Sequence, residues 1–159
     1  MLRAEGFKGS GRTFRRYRGE LVHVLHVQGS RWGGQLYVNL GVHLRFLGSP
    51  EDSSVAWESI QESQCFLRQR MSESGPGGSW RHDGEEASIV AAIRSILSAY
   101  ETRGRGELAR FESFPDSFAG IPGDTPMIAP ASLGGFVASH AAFNFRMIQL
   151  RVAQPRQAP

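Results

Sequence analysis

A histidine, a glutamate and two arginines have the types and spacing to act on an anionic substrate. Glu20 and His43 lie at matching ends of two predicted strands, where symmetric pairing sets the carboxylate opposite the imidazole. A carboxylate beside an imidazole raises its basicity, which suits general-base catalysis. Arg68 and Arg70 point the same way on a strand and together favour phosphate, sulfate or a carboxylate. One hypothesis is therefore an enzyme with His43 as base, Glu20 as orienter and the two arginines as anion clamps.

Other sequence features argue against catalysis. No serine or cysteine nucleophile is placed beside His43 by spacing. His23 and His26 are three residues apart, so on a strand they point to opposite faces and cannot share a metal ion. The glycine-rich stretch 6–11 leads into a predicted strand, whereas a phosphate-binding loop leads into a helix. We therefore commit to no catalytic residue and predict neither a metal nor a cofactor.

A binding surface is the favoured alternative. The polar parity of the predicted sheet, together with a loop tryptophan beside Arg31, supplies residue types common at protein interfaces. The chain is then a small non-catalytic binding or accessory module whose partner is another protein or a small anion. The candidate binding residues are Trp32, Tyr37, Asn39, His43, Arg68 and Arg70.

Nucleic-acid binding is a third hypothesis, because the charge is uneven. Residues 1–50 carry eight basic and two acidic groups, and residues 51–159 carry ten basic and thirteen acidic groups. A basic half attracts nucleic acid, and Trp32 could stack on a base. The sequence has no recognised nucleic-acid-binding motif, however, so protein binding stays the preferred interpretation.

A hairpin is the strongest structural signal, and it positions these residues. Hydrophobic residues alternate with polar ones through residues 20–44, interrupted by a glycine-bearing loop at 29–34. One face of the hairpin is therefore apolar and the other polar. We expect Leu25 to be buried close to Val38. Symmetric closure of the loop predicts three facing pairs: Gln28 with Gln35, His26 with Tyr37, and Glu20 with His43.

Further elements complete an α+β fold. Residues 12–18 form a predicted strand whose arginines suit a sheet edge, and residues 65–71 form a fourth strand. From residue 85 to 103 the pattern is helical, with Ile89, Ile93, Ile96 and Tyr100 as an apolar stripe against the sheet. A short helix is predicted at 107–114 and a last helix at 133–152. The sequence thus predicts an antiparallel sheet of about four strands, with one long helix on its apolar face and further helices C-terminal.

The length of 159 residues suits one domain, predicted over residues 1–153 with a disordered tail at 154–159. Lone Cys65 excludes an internal disulfide and fits a reducing, cytoplasmic location. The longest uncharged stretch, 125–145, contains prolines and glycines that make it a poor membrane span. We therefore expect no membrane contact.

Short motifs carry a resemblance to a known family. They are Gly6-Phe-Lys, Thr13-Phe-Arg, Gly19-Glu-Leu-Val, Tyr37-Val-Asn-Leu-Gly-Val-His43, Cys65-Phe-Leu-Arg-Gln-Arg70 and Trp80. Over residues 1 to about 112 the sequence resembles the bacterial family of domain of unknown function 4304 (DUF4304). That family usually has a helix before the Gly-Phe-Lys element, whereas this chain begins five residues before Gly6. We expect either a start further upstream or a missing helix that leaves core surface uncovered. The family has no assigned activity, so the resemblance implies organisation and transfers no catalytic residue.

Overall fold

The computed structural model describes residues 1–47, 56, 58–71, 78–113, 116 and 137–138. It confirms an α+β fold on an antiparallel sheet, with seven strands where the sequence predicted about four. The predicted domain end at residue 153 and the predicted tail lie outside the described residues. The strands are β1 Lys8–Ser10, β2 Thr13–Arg18, β3 Leu21–Gly29, β4 Gln35–Leu44, β5 Leu67–Met71, β6 Trp80–Arg81 and β7 Val137–Ala138. The helices are α1 Glu86–Ala99 and α2 Arg105–Ala109, joined by a π-helical turn at Tyr100–Gly104.

The long strand β4 organises the sheet. The strand order is β1-β2-β3-β4-β5-β7, and β6 pairs with the beginning of β4 beside β5. β2 was predicted as an edge strand, but β1 pairs with it on its outer side. β2 is therefore an interior strand of the sheet, and one of its arginines, Arg16, is buried.

The hairpin of β3 and β4 forms as predicted, but its register differs by two residues. Leu25 is buried and faces Leu40 rather than Val38. The loop closes with the Ser30 amide donating to the Gln35 carbonyl at 2.9 Å. Gly33 and Gly34 take φ angles of 76° and 65°, which glycine adopts without strain. A shift of two keeps every side chain on its predicted face, because the strand period is two.

The register also removes three predicted pairs. Val22 faces His43, His26 faces Asn39 and Gln28 faces Tyr37. Glu20 precedes β3, and its backbone carbonyl accepts the Arg45 amide at 2.9 Å. The predicted pairing of the Glu20 carboxylate opposite the His43 imidazole is therefore wrong.

Helix α1 covers the apolar face of the sheet with part of the predicted stripe, Ile96 and Tyr100, together with alanines that were not predicted. Its buried residues are Ala92, Ile96 and Ala99, followed by buried Tyr100. Ile93 is 43% exposed, so its predicted place in the core is wrong. Successive helical residues are about 100° apart, so Ile93 points away from the sheet when Ala92 and Ile96 point toward it.

The opposite face of the sheet is partly covered by the chain itself. Residues 58–66, here called the covering segment, bring Ile60 and Cys65 against Val22 and Val24 to form a second small core. At Gly41 of β4, a Cβ atom would lie 2.6 Å from the Cys65 Sγ. Glycine at this position therefore allows the segment to lie directly on the sheet.

The chain after α1 departs from the predicted helices. α1 ends at Ala99, and α2 begins before the predicted short helix. In the π-helical turn, a Cβ at Gly104 would lie 2.8 Å from the Met71 Sδ, so the close approach to β5 requires glycine. The predicted helix 133–152 is contradicted at β7, which pairs with Leu67 and Arg68 of β5. The remainder of that prediction lies outside the described residues.

Candidate functional site

The covering segment encloses one of the predicted site residues and forms an ion pair with another. His43 is only 1% exposed, and its Nδ1 accepts the Phe66 amide at 3.3 Å. Arg68 donates from Nε to the buried Glu62 carboxylate at 2.9 Å. A general base must be able to reach its substrate. In this arrangement the His43 imidazole is enclosed, so it cannot act as a base on a substrate from solvent. Arg68 neutralises a buried carboxylate of its own chain.

A second arginine holds the other end of the covering segment. Arg15 of β2 donates to the carbonyl of Ile60 at 2.6 Å and to that of Ser59 at 3.1 Å. Arg15 and Arg68 are on strands either side of the central pair, so the segment is fixed from both sides of the sheet face. Both arginines direct hydrogen bonds to the chain itself and stabilise the fold, so they are less available for binding a ligand.

The uncovered part of this face, near the loop between β3 and β4, keeps the other predicted residues together. The Arg70 guanidinium lies over the Tyr37 ring at 4.6 Å, and its Nε donates to Asn39 Oδ1 at 3.1 Å. The Asn39 amide in turn donates to Gln28 Oε1 at 3.1 Å, and the Tyr37 hydroxyl donates to Gln35 Oε1 at 2.6 Å. Stacking and hydrogen bonding together fix the orientation of the Arg70 side chain.

Arg81 extends the same surface along β4. It pairs with Gln35, and directly paired residues share a sheet face, so its exposed side chain lies on the side of Tyr37. Sequence reasoning missed Arg81, because a two-residue strand leaves no periodicity to detect. We call the resulting surface the open polar patch, defined as Gln28, Gln35, Tyr37, Asn39, Arg70 and Arg81.

Trp32 lies in the hairpin loop at the same end of the sheet. It is 83% exposed, the highest value among the large hydrophobic residues in the described ranges. The Arg31 guanidinium lies over its indole ring at 4.6 Å. Within the described residues, no ion pair involves Arg31, Arg70 or Arg81. In the described ranges, this end of the molecule therefore presents aromatic rings beside cations that pair with no carboxylate.

A buried charge cluster on the apolar face was not predicted. Arg16, only 4% exposed, lies between two carboxylates: its Nη2 is 3.1 Å from Glu112 Oε1, and its Nη1 is 3.7 Å from Glu5 Oε2. Glu5 also accepts the Tyr100 hydroxyl at 2.8 Å and an Arg105 N–H at 2.5 Å. The parity of β2 could have revealed this cluster, since Arg16 shares the face of Phe14.

His23 completes the buried charge cluster as a neutral acceptor. Its Nδ1 lies 3.1 Å from Arg16 Nη2, which can only donate, and its Nε2 lies 3.0 Å from the Phe111 carbonyl, which can only accept. The proton of the neutral ring is therefore on Nε2. The pKa of His23 is lowered to about 4, chiefly by burial and also by the neighbouring Arg16 cation, against the opposing Phe111 hydrogen bond.

Tyr100 is the other neutral member of the cluster. Burial and its hydrogen bond to the Glu5 carboxylate both raise the pKa of the Tyr100 hydroxyl. The cluster then contains two arginines and two glutamates, here Arg16, Arg105, Glu5 and Glu112, whose formal charges balance. The cluster connects the N-terminal residues, the strands β2 and β3, and the chain around α2. Its charges pair with one another inside the protein.

Metal and membrane chemistry find no support in the described part of the chain. It contains no group of three or more histidine, cysteine or acidic residues arranged to hold a metal ion. None of its helices is long and apolar enough to cross a membrane.

Comparison with known proteins identifies a family but no activity. No curated protein and no solved structure matches the chain. The model of one family, described as Domain of unknown function (DUF4304), matches residues 1–108. That range contains the hairpin, the covering segment, the open polar patch and α1. The chain therefore belongs to the DUF4304 family.

Proposed function

We propose that this chain is a non-catalytic bacterial binding module that docks another protein on the open polar patch, with Trp32 as an anchor. The observation that carries the proposal is the exposure of Trp32 at the same end of the sheet as the Arg70–Tyr37 stack, where the described residues leave the polar face uncovered. Tryptophan, tyrosine and arginine are the residues most enriched among those that dominate interface energies. A cytoplasmic location fits the single buried thiol of Cys65.

The geometry supports this proposal over an enzyme. His43 is enclosed, Glu20 is not its partner, and Arg68 is paired with Glu62. Of the two arginines in the enzyme hypothesis, only Arg70 has no ion pair within the described residues. Arg70 can take part in binding an anionic group, but no described residue beside it has the role of a base.

The geometry also gives less support to nucleic-acid binding through the basic N-terminal half. Strand alternation sends Arg15 to one face and Arg16 to the other, where carbonyl and carboxylate groups of the chain take their hydrogen bonds. Arg45 likewise donates to the Gly19 carbonyl at 3.2 Å. A nucleic-acid site tracks many phosphates with a continuous row of cations, and folding divides this row.

Site-specific photocrosslinking in cells tests the proposal. A photoreactive amino acid replaces Trp32 in one version of the full chain and Glu101, exposed in the π-helical turn, in a control version. We expect a discrete protein adduct from position 32, absent from position 101 and lost when Tyr37→Ala is added. The adduct, identified by mass spectrometry, should then bind the purified chain with an affinity that Trp32→Ala lowers at least tenfold. Equal adducts from both positions, or an adduct insensitive to Tyr37→Ala, would contradict the proposal.

A further inference from the structure

The directions of the hydrogen bonds in the open polar patch leave donors, rather than acceptors, at its surface. We infer that Arg70, Gln28 and His26 together bind one tetrahedral oxyanion, the phosphoryl group of a phosphate monoester. This inference goes beyond the docking of a protein, because the three donors belong to β3 and β5 of a single chain, on either side of β4.

The first step is a chain of side-chain hydrogen bonds that crosses β3, β4 and β5. An arginine N–H can only donate, so Asn39 presents its oxygen Oδ1 to the Arg70 Nε, 3.1 Å away. The Asn39 amide nitrogen then faces Gln28 and donates to Oε1 at 3.1 Å. The Gln28 oxygen is thereby occupied, and its amide N–H groups have no partner among the described residues. The chain of bonds therefore uses both acceptors and leaves donors at its two ends.

The second step is the guanidinium of Arg70, the donor at the β5 end. Its Nε is bonded to Asn39, and one face of the group lies over the Tyr37 ring at 4.6 Å. Its terminal N–H groups form no ion pair with a described carboxylate, and they make the planar fork that matches an oxyanion. Because the side chain is already oriented, binding costs less conformational entropy than it would for a free arginine.

The third step is His26, a further donor beside Gln28. His26 pairs with Asn39 and lies two residues before Gln28 on β3, so the three side chains share one face of the sheet. The Thr13 hydroxyl of β2 lies 2.8 Å from the His26 Nδ1. When that hydroxyl donates, the neutral ring carries its proton on Nε2, the ring nitrogen farther from the backbone. The half-buried imidazole then offers an N–H to a ligand.

The fourth step is the spacing of the donors, which suits one anion. The Arg70 guanidinium lies above β4, because it covers Tyr37 and bonds to Asn39. Gln28 and His26 belong to the neighbouring strand β3. Adjacent strands are about 5 Å apart, and successive same-face residues of one strand are about 7 Å apart. A phosphoryl group that accepts hydrogen bonds of about 2.8 Å on several sides spans gaps of this order. Three donors from different directions match its three oxygens better than the two oxygens of a carboxylate.

The charge of the sheet also favours an anion. Its seven strands contain no aspartate or glutamate, and their cationic residues are Lys8, Arg15, Arg16, Arg18, Arg68, Arg70 and Arg81. Carboxylates from other segments pair with Arg16 and Arg68, whereas none in the described ranges pairs with Arg70. The Arg70 cation therefore stays unneutralised beside the other two donors, which attracts an anion.

Phosphate binding to the full chain tests the inference. Nitrogen-15 NMR follows the His26 imidazole, the Gln28 amide and the Arg70 guanidinium during titration with inorganic phosphate. The control titration uses sodium chloride at matched ionic strength. We expect saturable shifts of all three groups with phosphate only, and a Kd on the order of 1 mM from two or three charge-assisted hydrogen bonds.

Two variants and a matched control locate the site. Arg70→Gln removes the cation, and the isosteric Gln28→Glu keeps the acceptor for Asn39 but replaces the amide donor with an oxygen. Each should weaken phosphate binding at least about tenfold. Ala91→Glu adds the same charge as Gln28→Glu at an exposed position of α1, and it should leave the Kd unchanged.

The results that would overturn the inference are an absence of saturable shifts, equal shifts with chloride, or a Kd that neither Arg70→Gln nor Gln28→Glu changes. A capped phosphoserine probe distinguishes the source of the group. Equal affinity for phosphoserine and inorganic phosphate supports a site for a small phosphate ester, and tighter binding of phosphoserine supports a phosphorylated partner at the same site. A crosslink at position 32 without phosphate binding would reject this site and leave protein docking standing, and the reverse result would do the opposite.

Discussion

The buried charge cluster and the open polar patch use the same residue types in opposite ways. In the cluster, Arg16 is enclosed by two carboxylates and packs over the Phe7 ring at 5.0 Å. In the patch, Arg70 stacks on Tyr37 with only an amide as its hydrogen-bond partner. A buried charge requires partners, whereas an exposed one does not, so the two sites differ in what remains available. An arginine beside an aromatic ring therefore stays available for binding only where no carboxylate of its own chain pairs with it.

The largest expected difference between the two regions is in stability. Arg16→Met should lower the free energy of unfolding by about 3 kcal/mol, because the buried Nδ1 of His23 loses its donor and the partly buried Glu5 loses one of its cations. The matched change Arg70→Met should alter stability by no more than about 0.5 kcal/mol. Urea unfolding of both variants measures the contrast. Similar losses of unfolding free energy in the two variants would show that Arg16 and Arg70 contribute equally to stability, which contradicts the comparison.

The next effect is a dependence of stability on pH that comes from the cluster alone. The pKa of His23 is about 4 in the folded protein against 6.5 as its ordinary value, so at intermediate pH the unfolded chain binds a proton that the folded chain does not. The His23 contribution is therefore fully present above pH 6.5 and is lost as the pH falls toward 4. Between pH 7 and pH 4.5 we expect a loss of about 2–3 kcal/mol from this residue.

Two measurements check the His23 prediction. Urea unfolding at several pH values gives the slope of stability, which should be shallower between pH 4.5 and 6.5 in His23→Asn. An NMR titration should show the His23 imidazole signals unchanged until the pH approaches 4. A His23 signal that titrates near pH 6.5 in the folded protein would refute the neutral-acceptor assignment.

The smallest effect extends the contrast between enclosed and exposed positions to α1. Ile93→Asp should cost about 1–2 kcal/mol, through the lower helix propensity of aspartate and the loss of partly buried apolar surface, because Ile93 is 43% exposed. Ile96→Asp should prevent folding, because it places an unpaired charge in the core three residues away. Expression and thermal unfolding of the pair distinguish the two positions. An Ile93→Asp chain that fails to fold would place Ile93 back in the core.

Local periodicity was sufficient to predict the hairpin, the faces of its strands and the existence of the long helix. It could not set the register, because Gly33 and Gly34 determine where the loop closes and a shift of two leaves the pattern unchanged. It also misassigned Ile93, because the spacing of the isoleucines placed Ile93 in the stripe that faces the sheet. In the structure, the small residues Ala92 and Ala99 take sheet-facing positions instead. Close approach of helix and sheet favours such small residues.

The candidate site was predictable only in part, for a related reason. Tyr37, Asn39 and Arg70 come together because parity and strand order agree. A segment with no periodic pattern, in contrast, encloses His43 and pairs with Arg68 through Glu62. Contacts between residues distant in sequence decide which polar residues stay at the surface. Arg16 illustrates the converse: its parity placed it inside, but its partners Glu5 and Glu112 are remote along the chain.

Because Cys65 packs against Gly41, the reactivity of its thiol reports whether the covering segment is in place on the sheet. Cys65 is the chain's single cysteine, it is fully buried, and burial raises the pKa of its thiol, so a thiol reagent reacts only while the segment is lifted from the sheet. The rate of labelling therefore counts openings of this one element without any engineered probe. Each opening would bring His43 into contact with solvent. The rate of Cys65 labelling therefore also gives the rate at which a solute can reach the enclosed face.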